Sequence, residues 1–203
     1  MSIDPLTTEG PLAVKIAGII RNSIEVKSII HDDLAIHNKL NKIVDIIVNA
    51  FQSGNKVMFC GNGGSAADAQ HLAAEFSGRF YKDRDPLPAE ALHVNTSYLT
   101  AVANDYSYNE VYSRIVKGSG KKGDILIGLS TSGNSANIIA AFEQAKKMGI
   151  ITVGLTGASG GKMKLCSDYL LPVPSSDTPR IQEAHIMLGH IICQLVEEII
   201  YPV

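Results

Sequence analysis

Apolar residues recur at helical spacing through the first fifty positions. Val14, Ile16, Ile19 and Ile20 lead to Val26, Ile29 and Ile30, and a second run follows at Leu40, Ile43, Val44, Ile46, Ile47 and Phe51. Intervals of three and four put such residues on one helix face. Gly54 is placed to end the second run, as a glycine after a helix often does. Beyond it the pattern changes to short apolar runs alternating with helical stretches. Lys56–Cys60, Ala89–Val94, Asp124–Leu129, Ile150–Leu155 and Tyr169–Val173 read as strands. Residues 65–79, 97–117, 135–148 and 161–167 read as the helices between them. Strands that are apolar on both faces predict an α/β fold, a five-stranded parallel sheet covered by helices on both sides as a three-layer sandwich.

The last segment, Pro179–Ile200, predicts a long helix with proline in its first turn. Ile181, Ile186, Leu188, Ile191, Ile192, Leu195, Val196 and Ile199 cover much of its circumference, so it is expected to lie buried between neighbours. With the helical N-terminus, this suggests an oligomer, although packing within one subunit explains it too. Neither repeat nor linker interrupts the chain. One domain over residues 1–203 is expected, a helical segment (1–54) preceding the core (55–203).

Composition narrows the function. The 203 residues are 45% hydrophobic and 19% charged, with a formal net charge of -2. No basic stripe with interleaved aromatics is present, which argues against a nucleic-acid partner. Every apolar stretch is broken well short of a membrane span. The N-terminus lacks the basic and apolar regions of a signal peptide. Cys60, Cys166 and Cys193 are odd in number and widely spaced, as expected of buried free thiols in a reducing cytoplasm.

Two strand-to-helix junctions carry the candidate chemistry. Gly61-Asn62-Gly63-Gly64-Ser65 follows the first strand, and Ser130-Thr131-Ser132-Gly133-Asn134-Ser135 follows the third. Both fall where open α/β sheets bind ligands, at the carboxyl ends of parallel strands. Glycines admit an anion close to backbone N–H groups. The hydroxyls of Ser130, Thr131, Ser132 and Ser135 can donate to phosphate oxygens, and a helix beginning near Ser135 adds its N-terminal dipole. Neither loop matches a P-loop or a complete dinucleotide fingerprint. One such loop reads as an ordinary turn and cap; two favour a phosphate site.

His71 and Glu75 are four apart on the next helix, about 6 Å along its axis, and suit a shared metal or substrate. Spacing alone ranks an ordinary exposed His–Glu pair first. Gln182, Glu183, His185 and His190 are polar positions in the apolar terminal helix, either satisfied core groups or site groups. Gln182 and His190 stand about 12 Å apart along the axis and about 80° around it. Metal bonds of about 2 Å make it hard for both to reach one ion, so residues from more than one subunit are expected to complete the site. Asn104-Asp105 reads, by position, as a cap at a helix end.

Taken together, GNGGSAADAQHLAAEFSGRF, VANDYSYNEVYSR, GDILIGLSTSGNSANI, VGLTGASGGKM and TPRIQEAHIMLGH resemble the phosphoheptose isomerases, a family of SIS-domain enzymes. The resemblance runs in order from about Ser53 to the C-terminus. It implies conversion of sedoheptulose 7-phosphate to D-glycero-D-manno-heptose 7-phosphate in bacterial heptose biosynthesis, by a cytoplasmic homotetramer with active sites at subunit interfaces. It further implies substrate contacts from Asn62, Gly63, Gly64 and Ser65, and phosphate contacts from Ser130, Thr131, Ser132 and Ser135. Asn104 and Asp105 correspond to residues that hold the sugar hydroxyls. His71, Glu75, Gln182 and His190 correspond to zinc ligands, with Glu75 and His190 also the acid–base pair. Some family members have an aspartate just before the RIQE motif; here Pro179 stands there and Asp177 is the nearest carboxylate. Two alternatives stay open: a non-catalytic phosphosugar- or replication-initiator-binding relative, and a SIS isomerase of another sugar phosphate. The first is disfavoured because its known representative lacks the Glu and His found here at 75 and 190.

Overall fold

The computed structural model describes residues 10–202; the reading of the first residues as free of a signal peptide lies outside them. Five strands form one parallel sheet in the order β2-β1-β3-β4-β5. They are β1 (Val57–Gly61), β2 (Ala89–Ala91), β3 (Ile125–Ser130), β4 (Ile151–Thr156) and β5 (Tyr169–Pro172). Successive side chains point to opposite faces of a strand, and this alternation builds two cores. Val57, Phe59, Ile125, Ile127, Val153 and Leu155 face one cluster. Met58, Cys60 and Leu126 face the other. The expected α/β three-layer arrangement is therefore present.

The first cluster is closed by α1 (Pro11–Asp32), α2 (Leu34–Gln52), α3 (Gly64–Ser77) and α7 (Thr178–Ile200). The second is closed by α4 (Thr96–Asp105), α5 (Val111–Ser119) and α6 (Ala136–Lys147). Asp33 divides the N-terminal helical run: its backbone is extended and its carboxylate accepts from the N–H groups of Ala35 and Ile36, capping α2. Gly54, at φ 71°, follows the end of α2 as expected. The apolar periodicity of α1 is real, but only Val26 and Ile30 are buried. Leu12, Val14, Ile16, Ile19, Ile20, Ile24 and Ile29 face outward.

Three expected elements differ. The stretch 97–117 is not one helix. α4 stops at Asp105, and the Ser107 hydroxyl accepts from the Asn109 N–H, starting a 3-10 turn over Tyr108–Glu110 before α5. Such short polar side chains compete with helix for the backbone. Residues 161–165 form a 3-10 helix, entered through Gly160 and Gly161, both at positive φ. Strand β2 is short because the chain leaves the sheet edge after Ala91, toward the Asn95 cap of α4. Cys60 and Cys193 are buried, whereas Cys166 is only half-buried, so the expectation of three buried thiols is corrected there. Among the described residues, no helix is long and apolar enough to cross a membrane.

Candidate active site

The chain turns one way from β1 to β2 and returns across the sheet to β3, so β1 and β3 flank a switch point. Both glycine- and serine-rich loops emerge there, at the strands' carboxyl ends. Gly63 has φ 56° and ψ −122°, which a residue with a Cβ resists, and it turns the chain directly into α3. Gly64 is required by proximity: a Cβ there would lie 2.7 Å from Nε2 of Gln182. Ser65 is buried, and its N–H donates to the carbonyl of Asn62.

Asn62 joins the two loops. Its amide nitrogen donates to Oδ1 of Asn137 at 3.0 Å, and Nδ2 of Asn137 returns a bond to Asn62 Oδ1 at 2.9 Å. The Tyr108 hydroxyl also donates to Asn62 Oδ1, at 3.1 Å, and the buried Tyr112 hydroxyl donates to the carbonyl of Gly61. On the other loop, the Ser130 and Ser135 hydroxyls are 2.8 Å apart. Ser135 is the N-cap of α6 but does not use its side chain to cap it. Ser132 Oγ accepts from the Asn134 N–H, holding the turn. Thr131 and Ser132 open onto a cleft of about 300 Å³ that Ser159, Ser175 and Thr178 also line.

A second group assembles between α3 and α7. Nε2 of His71 lies 2.9 Å from Glu75 Oε1 and 3.3 Å from Nε2 of His190. The three ligand atoms lie within 4.8 Å of one another. Bonds of about 2.0–2.1 Å to a tetrahedral zinc ion place two nitrogens roughly 3.3 Å apart, which matches the two histidines. The donor set of two imidazoles and one carboxylate suits a metal centre with an open fourth position. Burial pushes the pKa of His190 down, and the nearby His71 lowers it further, against the opposing pull of Glu75 and Asp68. Neutral imidazole is the form that ligates a metal or accepts a proton.

The terminal helix separates its polar residues by role. Gln182 lies at the start of α3, beside Gly64, about 12 Å along α7 from His190. One chain therefore gathers His71, Glu75 and His190 and leaves Gln182 at the far end. His185 is fully buried, with Nε2 3.2 Å from the carbonyl of Thr156, a core histidine tying α7 to β4. Glu183 binds Ser23 and Arg180, fastening α1 to α7. Pro179 sits in the first turn of α7, and Asp177 precedes it as N-cap without a side-chain bond. Asn104 and Asp105 are exposed at the end of α4, where Asn104 Nδ2 donates to Asp105 Oδ1 at 3.0 Å.

Sequence reasoning missed several residues. Asp68 precedes His71 by three and so shares its face; its Oδ2 is buried without a partner among the described residues. Burial raises its pKa against the pull of His71 and His190. The spacing from 68 to 71 to 75 was the available signal. Asn137 shares the buried stripe of α6 with Ile138, Ala141 and Ala145, where a lone amide demands a partner. Tyr108, Tyr112 and Phe80 gave no signal, because their roles come from contacts distant in sequence.

Comparison with known proteins bears on this arrangement. Residues 21–157 match the family model of the SIS domain. The phosphoheptose isomerase of Clostridium acetobutylicum is 55% identical over 179 residues, covering 88% of this chain and 91% of that protein. Among solved structures, a phosphoheptose isomerase from Francisella tularensis superposes with a TM-score of 0.88 at 32% identity, covering 93% of this chain and all of that one. The phosphoheptose isomerase of Neisseria gonorrhoeae does so with a TM-score of 0.86 at 39% identity, over 92% and 99% of the two chains. Identity and coverage of this extent show the family: the chain belongs to the phosphoheptose isomerases of the SIS-domain family.

Proposed function

We propose that this enzyme interconverts sedoheptulose 7-phosphate and D-glycero-D-manno-heptose 7-phosphate by proton transfer through an enediol. The observation that carries the reading is the convergence of Glu75 and His190 from two helices onto one point, beside His71. The hydroxyls of Ser130, Thr131, Ser132 and Ser135 and the N-terminus of α6 receive the phosphate, whose binding places the reacting carbons. Asn62, Gly63, Gly64 and Ser65 line the sugar, with Asn104, Asp105 and Gln182 reading its hydroxyls.

Glu75 takes the proton from one of C1 and C2 and returns it to the other, while His190 moves the proton between the two oxygens. Carbon and oxygen each gain and lose one proton, so the reaction is balanced without any other reactant. His71, Glu75 and His190 would hold one zinc ion per subunit, with Gln182 the fourth ligand implied by family resemblance. Bound zinc supplies Lewis acidity that favours a developing oxyanion.

The distance from Gln182 to His190 supports a site completed by a neighbouring subunit, and the outward apolar face of α1 supports self-association, for which the family resemblance implies a homotetramer. The working unit is thus a single SIS domain with its helical N-terminal segment, assembled in fours in the cytoplasm. Purified protein incubated with sedoheptulose 7-phosphate and zinc should yield the heptose 7-phosphate. Glu75→Gln, which keeps the shape and removes the base, should lower turnover by about 10²–10⁴. No aldose product, or undiminished turnover by the variant, would refute the assignment.

A further inference from the structure

Outside the cluster lies an ion pair that touches both helices carrying it. Arg84 and Glu197 are each 2% exposed at their side chains, with Nε of Arg84 2.8 Å from Oε2 of Glu197. Arg84 also donates through Nη2 to the carbonyl of Glu75 at 2.9 Å, and through Nη1 to that of Phe76 at 2.9 Å. These are carbonyls of the last turn of α3, which a helix cannot satisfy by itself. One of them belongs to Glu75.

Glu197 completes the link on the other side. It follows His190 by seven residues, two turns along the same face of α7. Its carboxylate accepts the N–H groups of Tyr81 at 2.8 Å, Lys82 at 2.9 Å and Phe80 at 3.1 Å. Those bonds hold the Phe80 ring 5.6 Å from the ring of His190. Burial alone would raise the Glu197 carboxyl pKa, but these donors and Arg84 outweigh it and hold it below the usual range, so the group is anionic.

A merely stabilising contact at this place would not need these directions, since well-packed apolar residues stabilise a core as well as a buried ion pair does. The guanidinium fork fixes angles as well as distance. We propose that Arg84 and Glu197 are positioning residues that set α3 against α7 and thereby hold Glu75 and His190 in their reacting arrangement. The proposal rests on the reading of Glu75 and His190 given above.

Arg84→Lys tests it. Lysine keeps the charge opposite Glu197, but a single ammonium group cannot reproduce the planar fork that joins both α3 carbonyls to the carboxylate. Steady-state kinetics and cobalt titration of the metal-stripped protein, read by visible absorption, give two independent measures. With KM within about two-fold of wild type, kcat is expected to fall about 10–100-fold, and cobalt affinity by a similar factor. Val116→Ala is the control: it removes volume from the core on the opposite side of the sheet, so it should lower the melting temperature and leave both measures unchanged. If Arg84→Lys does not fold, Glu197→Gln, which preserves shape, carries the same expectation. A folded variant with wild-type kcat and wild-type cobalt affinity would overturn the proposal. A wild-type chain that takes up no cobalt refutes the metal reading instead, and the clamp then stands or falls on kcat.

Discussion

Gly189 offers a sharp test of how tightly the two site helices must pack. A methyl group on its α-carbon would lie 2.5 Å from both Cδ1 and Cδ2 of Leu72 and 3.0 Å from Cγ. Carbon–carbon contacts are comfortable at about 3.5–4.0 Å, so Leu72 or a helix must yield by roughly 1 Å. Leu72 is 2% exposed, and the void it shares with Phe59, Phe76 and Ile192 measures only about 10 Å³. Overpacking of this kind costs about 1–3 kcal/mol, offset by the gain of about 1 kcal/mol when alanine replaces glycine within a helix. For Gly189→Ala the net loss is thus up to about 2 kcal/mol, and the melting temperature should fall by roughly 2–4 °C per kcal/mol. Activity should suffer more. Gly189 and Leu72 adjoin His190 and His71, whose Nε2 atoms are 3.3 Å apart, and a displacement of about 1 Å can cost 10²-fold in rate. Differential scanning calorimetry and initial-rate kinetics read the two effects, and adding Leu72→Val should restore part of the lost rate. If Gly189→Ala is as stable as the wild type, or more so, with unchanged kcat, helix propensity alone governs the position and the packing argument is wrong.

Two further outcomes follow from other parts of the structure. Burial lowers the pKa of His185 from 6.5 to about 4, although its bond to the Thr156 carbonyl raises it. The unfolded chain therefore binds this proton near pH 6.5 and the folded chain only near 4, so stability is full above 6.5 and declines as pH falls through that window. The loss is about 2 kcal/mol at pH 5 and about 3 kcal/mol at pH 4; urea midpoints at pH 7.5 and 5 should show a steeper decline for wild type than for His185→Gln, and parallel declines would exclude this histidine as the source. On α1, Ile20 and Ile24 are 54% and 57% exposed and four residues apart. In the proposed tetramer, the double change Ile20→Glu and Ile24→Glu should cost the single chain little but split the assembly and reduce turnover, by light scattering and kinetics; a fully active monomer would refute the proposal of shared active sites.

Local pattern was enough for much of this molecule. Short apolar runs and periods near 3.6 report the environment of their own element, so the five strands and the terminal helix were legible in the chain, as were the two glycine- and serine-rich loops that follow β1 and β3. His71 and Glu75 were visible as a pair because a helix brings i and i+4 together without outside help. The break in 97–117 was not visible, because the Ser107 hydroxyl accepts from the Asn109 N–H only once the turn exists. The apolar stripe of α1 was visible as a stripe, but its period says nothing of what covers it.

Tertiary structure alone decided which residues meet. His190 reaches His71 across 119 positions, Asn137 reaches Asn62 across 75, and Glu197 reaches Arg84 across 113. No spacing rule encodes such distances, since they depend on how the crossovers wind around the sheet and on two glycines, Gly64 and Gly189, that let side chains of neighbouring helices approach. Sequence placed Gln182 and His190 on one helix, about 12 Å apart; packing then gave His190 to the cluster and Gln182 to the loop, because α7 is one unbroken helix and α3 runs alongside it.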